Sequence, residues 1–288
     1  MTGLRAAATS PARLAAGACV LLLLAGLAQA AWEDASPASG GTSPLLYLPS
    51  GRFLKVASLG FDPILADVLY LWSIQYYGDE RNDDRFGHLN HIFKDLITEL
   101  DPHYLDAYLT GALIMSAEAR RPEMALALLD KGIEANPAAW ILSFDAGFLC
   151  YQELKDYARA RSYFEKALLA PDVHPAVRRF AAAMSSRTGD MRLSLEEWAA
   201  IHETATDEYV RRVAWNHVHD LSVRIDLEDL EGAIASFHSR AGRPPRRLDE
   251  LPRAGLLPSV PLDPEERPYD YDPRTGRVEY RGSLVLGR

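Results

Sequence analysis

Three prolines, Pro102, Pro137 and Pro171, stand 35 and 34 residues apart, and the stretch between them repeats one pattern of side chains. In the last interval Phe144, Gly147, Phe148 and Tyr151 are followed by Ala160, Phe164 and Ala167. The first group places aromatic and small residues on one helix; the second alternates small, large and small at helical spacing on the next. The preceding interval does the same with Leu109, Ala112 and Leu113, then Ala125, Leu129 and Gly132, and Pro122 opens its second helix. A unit of this length cannot bury its apolar face alone, so neighbouring units must stack to make a core. Small residues recur because paired helices approach closely only where Ala, Gly or Ser permits it.

This spacing resembles the tetratricopeptide repeat, a helix-turn-helix unit of 34 residues. The resemblance implies a mainly α fold: a helical-hairpin (TPR-like) solenoid over residues 49–224, with its best repeats in 106–172, whose usual work is holding other proteins. A first helix is predicted to start within residues 52–59. Pro63 then opens a helix carrying Ile64, Leu65, Val68, Leu69, Trp72, Ile74 and Tyr76, apolar on nearly every side and so expected to be buried. After a polar break at 78–85, the next helix covers 91–100. A fourth pair runs from Pro175 to Glu203, with Ala181, Ala182 and Ser185 on its first helix and Ser194, Trp198 and Ile201 on its second. Residues 207–224 are predicted to form a capping helix, and 227–241 a separate amphipathic one.

From Gly242 onward the chain is rich in Pro, Asp and Arg, and Tyr269, Tyr271 and Tyr280 alternate with polar residues around the turn 272–276. That pattern predicts a short β-hairpin. The helix bearing Ala233, Ile234 and Phe237, followed by Gly242, Pro244, Pro245, Leu248, Leu251, Pro261, Asp263, Pro264, Pro268 and Tyr269, resembles the end of type II secretion major pseudopilins over residues 227–280. The resemblance implies a small C-terminal α+β module, 225–288, with a helix packed on an antiparallel sheet. The family's methylated N-terminal helix and its Asp- and Gly-rich calcium loop have no counterpart, so neither polymerisation nor metal is carried over.

Residues 1–30 have the form of an export signal: Arg5 and Arg13, an apolar run over 14–27, then Ala28-Gln29-Ala30. The 18 apolar residues from Leu14 to Ala31 also suit an uncleaved membrane anchor. Both readings predict an exported chain, periplasmic or anchored facing the periplasm, with 31–48 as a flexible linker. Cys19 lies too early in the apolar run for a lipid-modified cysteine, and Cys150 on a repeat helix reads as a buried thiol.

A formal charge of −9 and the lack of any Lys/Arg run argue against nucleic acid as partner; Arg178-Arg179, Arg211-Arg212 and Arg246-Arg247 are isolated pairs. No phosphate loop, nucleophile elbow, zinc-helix motif or paired-cysteine motif occurs, so no cofactor is implied. His88 and His91 with Asp83 and Asp84 could gather nitrogen and oxygen ligands for a divalent ion, though such residues at a helix start are commonly only solvated. On a helix His217 and His219 point about 200° apart and cannot share one ion. Asp263, Asp270 and Asp272 could hold calcium, but Asp before Pro is foremost a turn former.

The repeat phase assigns a partner-binding groove to Gln75, Asp79, Thr110, Ile114, Asp145, Leu149, Gln152 and Arg179. Mixed polar and apolar character suits an extended peptide or a helix laid in a groove. The expected function is a non-enzymatic protein-binding scaffold of the bacterial envelope, accessory to a pilus-like or secretion assembly. Two alternatives stand beside it: a self-assembling structural protein whose tail docks on the repeats, and a metal-dependent enzyme using His88 and His91.

Overall fold

A computed structural model describes residues 49–78 and 85–286. The predicted signal or anchor, the linker, and Asp79, Asp83 and Asp84 lie outside the described residues. The described chain is mainly helical, with one small antiparallel sheet of two strands.

The helices follow as α1 (Gly51–Ala57), α2 (Asp62–Gly78), α3 (85–100), α4 (105–118), α5 (Pro122–Ala135), α6 (140–154), α7 (Tyr157–Leu168), α8 (Ala176–Arg187), α9 (Met191–Thr204) and α10 (Glu208–Ala241). From α4 to α10 each helix packs chiefly on the one before and the one after it. Helices α3, α4 and α6 contain π turns, at Ile92–Ile97, Ile114–Glu118 and Cys150–Leu154.

The sequence period has a backbone counterpart. Arg120, Lys155 and Gly189, again 35 and 34 residues apart, all adopt positive φ at the turn that ends the first helix of a pair. The next amide in each case, of Arg121, Asp156 or Asp190, donates back to the carbonyl of Met115, Cys150 or Ser185. These bonds satisfy carbonyls that a helix end otherwise leaves bare. Asp156 and Asp190 then cap the following helix, accepting from the amides of Arg159 and Leu193 at 3.0 Å.

Within the hairpins the small residues do what their spacing implies. A Cβ on Gly132 would lie 2.8 Å from the Tyr108 ring, and one on Gly147 would lie 2.8 Å from Phe164. Phe144, Phe148, Phe164 and Phe180 form a cluster with ring centroids 5.2–6.1 Å apart, a spacing at which edge-to-face pairs add to burial. Cys150 is fully buried, as expected of a core thiol, and burial raises its pKa.

Two expectations fail. Helix α2 is not buried: only Ala66 and Ser73 are, while Ile64, Val68, Leu71 and Ile74 are exposed. Nor do residues 207–224 and 227–241 form two helices. One helix runs through Arg224 and Leu227, capped by Asp207 at its start and by Gly242, at φ 68°, at its end. No Gly or Pro interrupts 208–231, and the apolar face simply changes partner midway. Ala214 and Leu221 join Trp198 and Ile201 of α9, whereas Leu230, Ala233 and Ile234 join Leu248, Leu251, Tyr269 and Val278.

The second cluster is the core of the C-terminal module. It holds a short helix α11 (Glu250–Arg253) and the hairpin of β1 (Asp270–Asp272) and β2 (Arg277–Glu279), paired Asp270 to Glu279, Tyr271 to Val278 and Asp272 to Arg277. The three aspartates serve turns and arginines. Asp263 accepts the amides of Glu265 and Arg267 and pairs with the Arg267 guanidinium; Asp272 accepts from Arg274 and Thr275; Asp270 pairs with Arg281.

Midway along α10 a buried polar node ties the chain's end to the helix. His219 is 6% exposed and Asp220 3%. Asp220 accepts the amides of Val285 and Leu286, both at 2.8 Å. His219 meets Asp220 through Nδ1 at 2.9 Å, and Glu265 and the Tyr280 hydroxyl through Nε2 at 3.0 Å. Burial opposes a charge on His219, yet its bonds to Asp220 and Glu265 outweigh that and raise its pKa above the usual 6.5. For Asp220 burial again opposes the charge, and the Leu286 amide, His219 and the Val285 amide together hold its pKa low. His217 points elsewhere, stacked on Trp198 with centroids 3.9 Å apart, and burial lowers its pKa.

Candidate functional site

Positions 110, 145 and 179 are one repeat apart on the first helices of successive pairs. Thr110 on α4 is half-buried, and its hydroxyl is 3.0 Å from that of Tyr70. Asp145 on α6 is half-buried with no hydrogen bond or ion pair among the described residues, and burial alone raises its pKa. Arg179 on α8 is half-buried and Arg178 beside it exposed, and among the described residues neither guanidinium has an ion-pair or hydrogen-bond partner. A half-buried carboxylate and two cations without partners among the described residues thus lie on neighbouring helix pairs, where other cations are held in ion pairs. Arg159 meets Glu123 at 3.0 Å, Arg161 meets Glu165 at 2.7 Å and Arg192 meets Asp229 at 2.7 Å.

Arg178 and Arg179 line a cavity of about 600 Å³ whose apolar walls include Val173, Pro175, Ile201 and Val210. It is formed by the loop before α8, the start of α8, and the turn between α9 and α10. His174 at its edge stacks on Trp140, with centroids 6.1 Å apart. An apolar floor beside two guanidinium groups can take a side chain or chain end that carries a carboxylate on an apolar stem, since guanidinium grips carboxylate in a fork of parallel hydrogen bonds.

The eight residues assigned to a groove are not gathered into one place. Gln75 and Gln152 are exposed, on α2 and on the π turn of α6, and Asp79 lies outside the described residues. Ile114 and Leu149 correct the assignment: they are 5% and 8% exposed and belong to the core. Ile114 opens a π turn and Leu149 is the last residue before one. Each is four residues past Thr110 or Asp145 along ordinary α-helix, about 40° further round, and there an apolar side chain is withdrawn from water. Arg179 lines the cavity just described, and Asp145 is not among that cavity's walls.

Arg178 was legible in the sequence only as half of a solvated pair. One signal was present, though Arg52 and Arg240 share it: no Asp or Glu stands three or four residues away from Arg178 or Arg179, whereas Arg159 has Asp156 and Arg161 has Glu165. The histidines of the metal hypothesis turn to separate partners. His88 Nδ1 is 3.3 Å from the Tyr76 hydroxyl, and His91 Nδ1 is 2.9 Å from Asp95. Among the described residues no group of three or more His, Cys, Asp or Glu side chains could hold a metal ion, and no helix is long and apolar enough to cross a membrane.

Compared with known families and with curated proteins, the chain matches no family model and no curated sequence.

Proposed function

We propose that this chain is a non-enzymatic interaction scaffold of the bacterial cell envelope, in which TPR-like hairpins stack as a short solenoid and hold a segment of another protein. The observation that carries this reading is the apolar cavity at Arg178 and Arg179, two cations without partners among the described residues. The bound segment is apolar with an acidic residue or a chain end, and the unpaired Asp145 extends the polar contacts along the stack. The pseudopilin-like form of residues 227–280 makes a pilus-like or secretion assembly the natural source of that partner.

The tail-exchange alternative is less well supported, because the amides of Val285 and Leu286 are already taken by Asp220 of the same chain. The metal-enzyme alternative needs Asp83 and Asp84 beside His88 and His91, and those two carboxylates lie outside the described residues.

The test is a quantitative pull-down from envelope extract with wild type and the Arg178→Glu/Arg179→Glu variant. Reversal is expected to reduce capture of the wild-type partner by about tenfold or more, the size of a lost hot-spot pair, with far-UV circular dichroism unchanged. Equal capture by both proteins would overturn the reading.

A further inference from the structure

Helix α2 is 17 residues long and buries only Ala66 and Ser73. A helix of that length is marginal in water by itself, and most helices in proteins are held by packing of an apolar face. On its inner side α2 is held by Ala66 and Ser73, by Tyr76 against His88, and by Tyr70. Its ring lies 6.2 Å from Phe93 at 78° and 5.1 Å from Tyr104, and its hydroxyl meets Thr110. The outer side carries Phe61, Ile64, Val68, Leu71 and Ile74, all exposed and three or four residues apart, which is one helical stripe. Phe53, Val56 and Leu59 of α1 and its following turn are exposed just before it.

The geometry points to a second copy of this chain as the occupant of that stripe, in an isologous dimer built on α2 against α2. Four observations choose this occupant. Together the eight side chains expose roughly 800 Å² of apolar surface, about one partner's share of a standard specific interface. Spacing of three and four residues is what helix-on-helix packing requires. The far end of the stack is covered by α10, so the apolar end finds no open complementary end for head-to-tail stacking, and like meets like about a two-fold axis. Finally, from Phe61 to Ile74 there are two aspartates and no lysine or arginine, and of the two cations on α1, Arg52 and Lys55, the second donates to the Glu99 carbonyl at 3.3 Å, whereas a helix lying on an anionic lipid surface carries cations along its polar face.

The test uses the full-length chain in sedimentation equilibrium, as wild type and as Val68→Glu/Leu71→Glu. Wild type is expected to be dimeric. The glutamates face their own copies across the axis, and like charges there are expected to weaken the dimer by about a hundredfold or more without loss of helicity. If that variant unfolds, single cysteines decide, placed in a Cys19→Ser background. Val68→Cys or Leu71→Cys is expected to give a disulfide-linked dimer under mild oxidation, and Leu169→Cys, still more exposed but off the stripe, is not. A monomeric wild type, a dimer indifferent to both substitutions, or equal cross-linking at position 169 would each overturn the proposal. So would a wild type that floats with phosphatidylcholine vesicles and a glutamate variant that does not, since lipid would then be the occupant.

Discussion

The two ends of the helical stack differ in how they meet water. At the C-terminal end α10 lays Ala214 and Leu221 over Trp198 and Ile201, and Trp198 is sandwiched further by His217. At the N-terminal end α2 turns its apolar stripe outward. Composition is part of the contrast, since α2 holds two acids and no base in 17 residues whereas α10 sets its apolar side chains among many charged ones. The other part is whether the next element of the chain returns to cover the face. An apolar helix face needs a cover, and the described residues supply one for α9 and none for the outer stripe of α2.

The largest effect that bears on this contrast is expected at the covered end. Trp198→Ala removes a side chain that is 3% exposed and should cost about 3–5 kcal/mol of unfolding free energy, read by denaturant titration. If it costs under about 1 kcal/mol, α10 does not act as a cap.

Next comes the node beneath the chain's end. Asp220→Ala leaves the amides of Val285 and Leu286 without an acceptor and removes the counter-charge of His219, an expected loss of about 1–3 kcal/mol. Hydrogen exchange should locate the loss at residues 285–286 and leave α4 to α7 protected.

A smaller effect is pH dependence at the same node. The pKa of His219 is raised in the folded chain, so its contribution is full below about pH 6.5 and is lost as pH rises through the folded value. The pKa of Asp220 is lowered, so its contribution is present above about pH 4 and is lost as pH falls through the folded value. The groups facing His219 are Asp220 on its own helix and Glu265 and Tyr280 from the module. Protection factors of the Val285 and Leu286 amides should therefore be highest between about pH 4 and pH 6.5 and decline toward pH 9. Protection that rises with pH over that range would refute the ionic account of the node.

The smallest effect belongs to the open end. Leu71→Ser in dilute protein should change the unfolding free energy by under about 0.5 kcal/mol, as for any exposed position. A loss as large as that of Trp198→Ala would mean that the stripe is already packed within one chain.

Much of the helix order was legible because small residues and prolines report helix approach and helix ends directly. The turn geometry was only partly so. Gly189 signals a left-handed residue, but Arg120 and Lys155 occupy the same conformation with side chains that give no sign of it. The π turns carry no residue signature, and the burial of Ile114 and Leu149 was equally hidden from a count of repeat positions. The apolar character of α2 was read correctly and its burial wrongly, because a hydropathy pattern states a demand for a partner without showing that the chain supplies one. The divergence of His217 and His219 followed from helical geometry, but Glu265 and Tyr280, 46 and 61 residues beyond His219, could be placed beside it only by the fold.

The contrast between the ends is tested most directly by amide hydrogen exchange of the wild-type chain over a range of protein concentrations. The account predicts that protection of α2 rises with concentration while that of α10 stays constant. Equal protection of the two helices, unchanged on dilution, would contradict it.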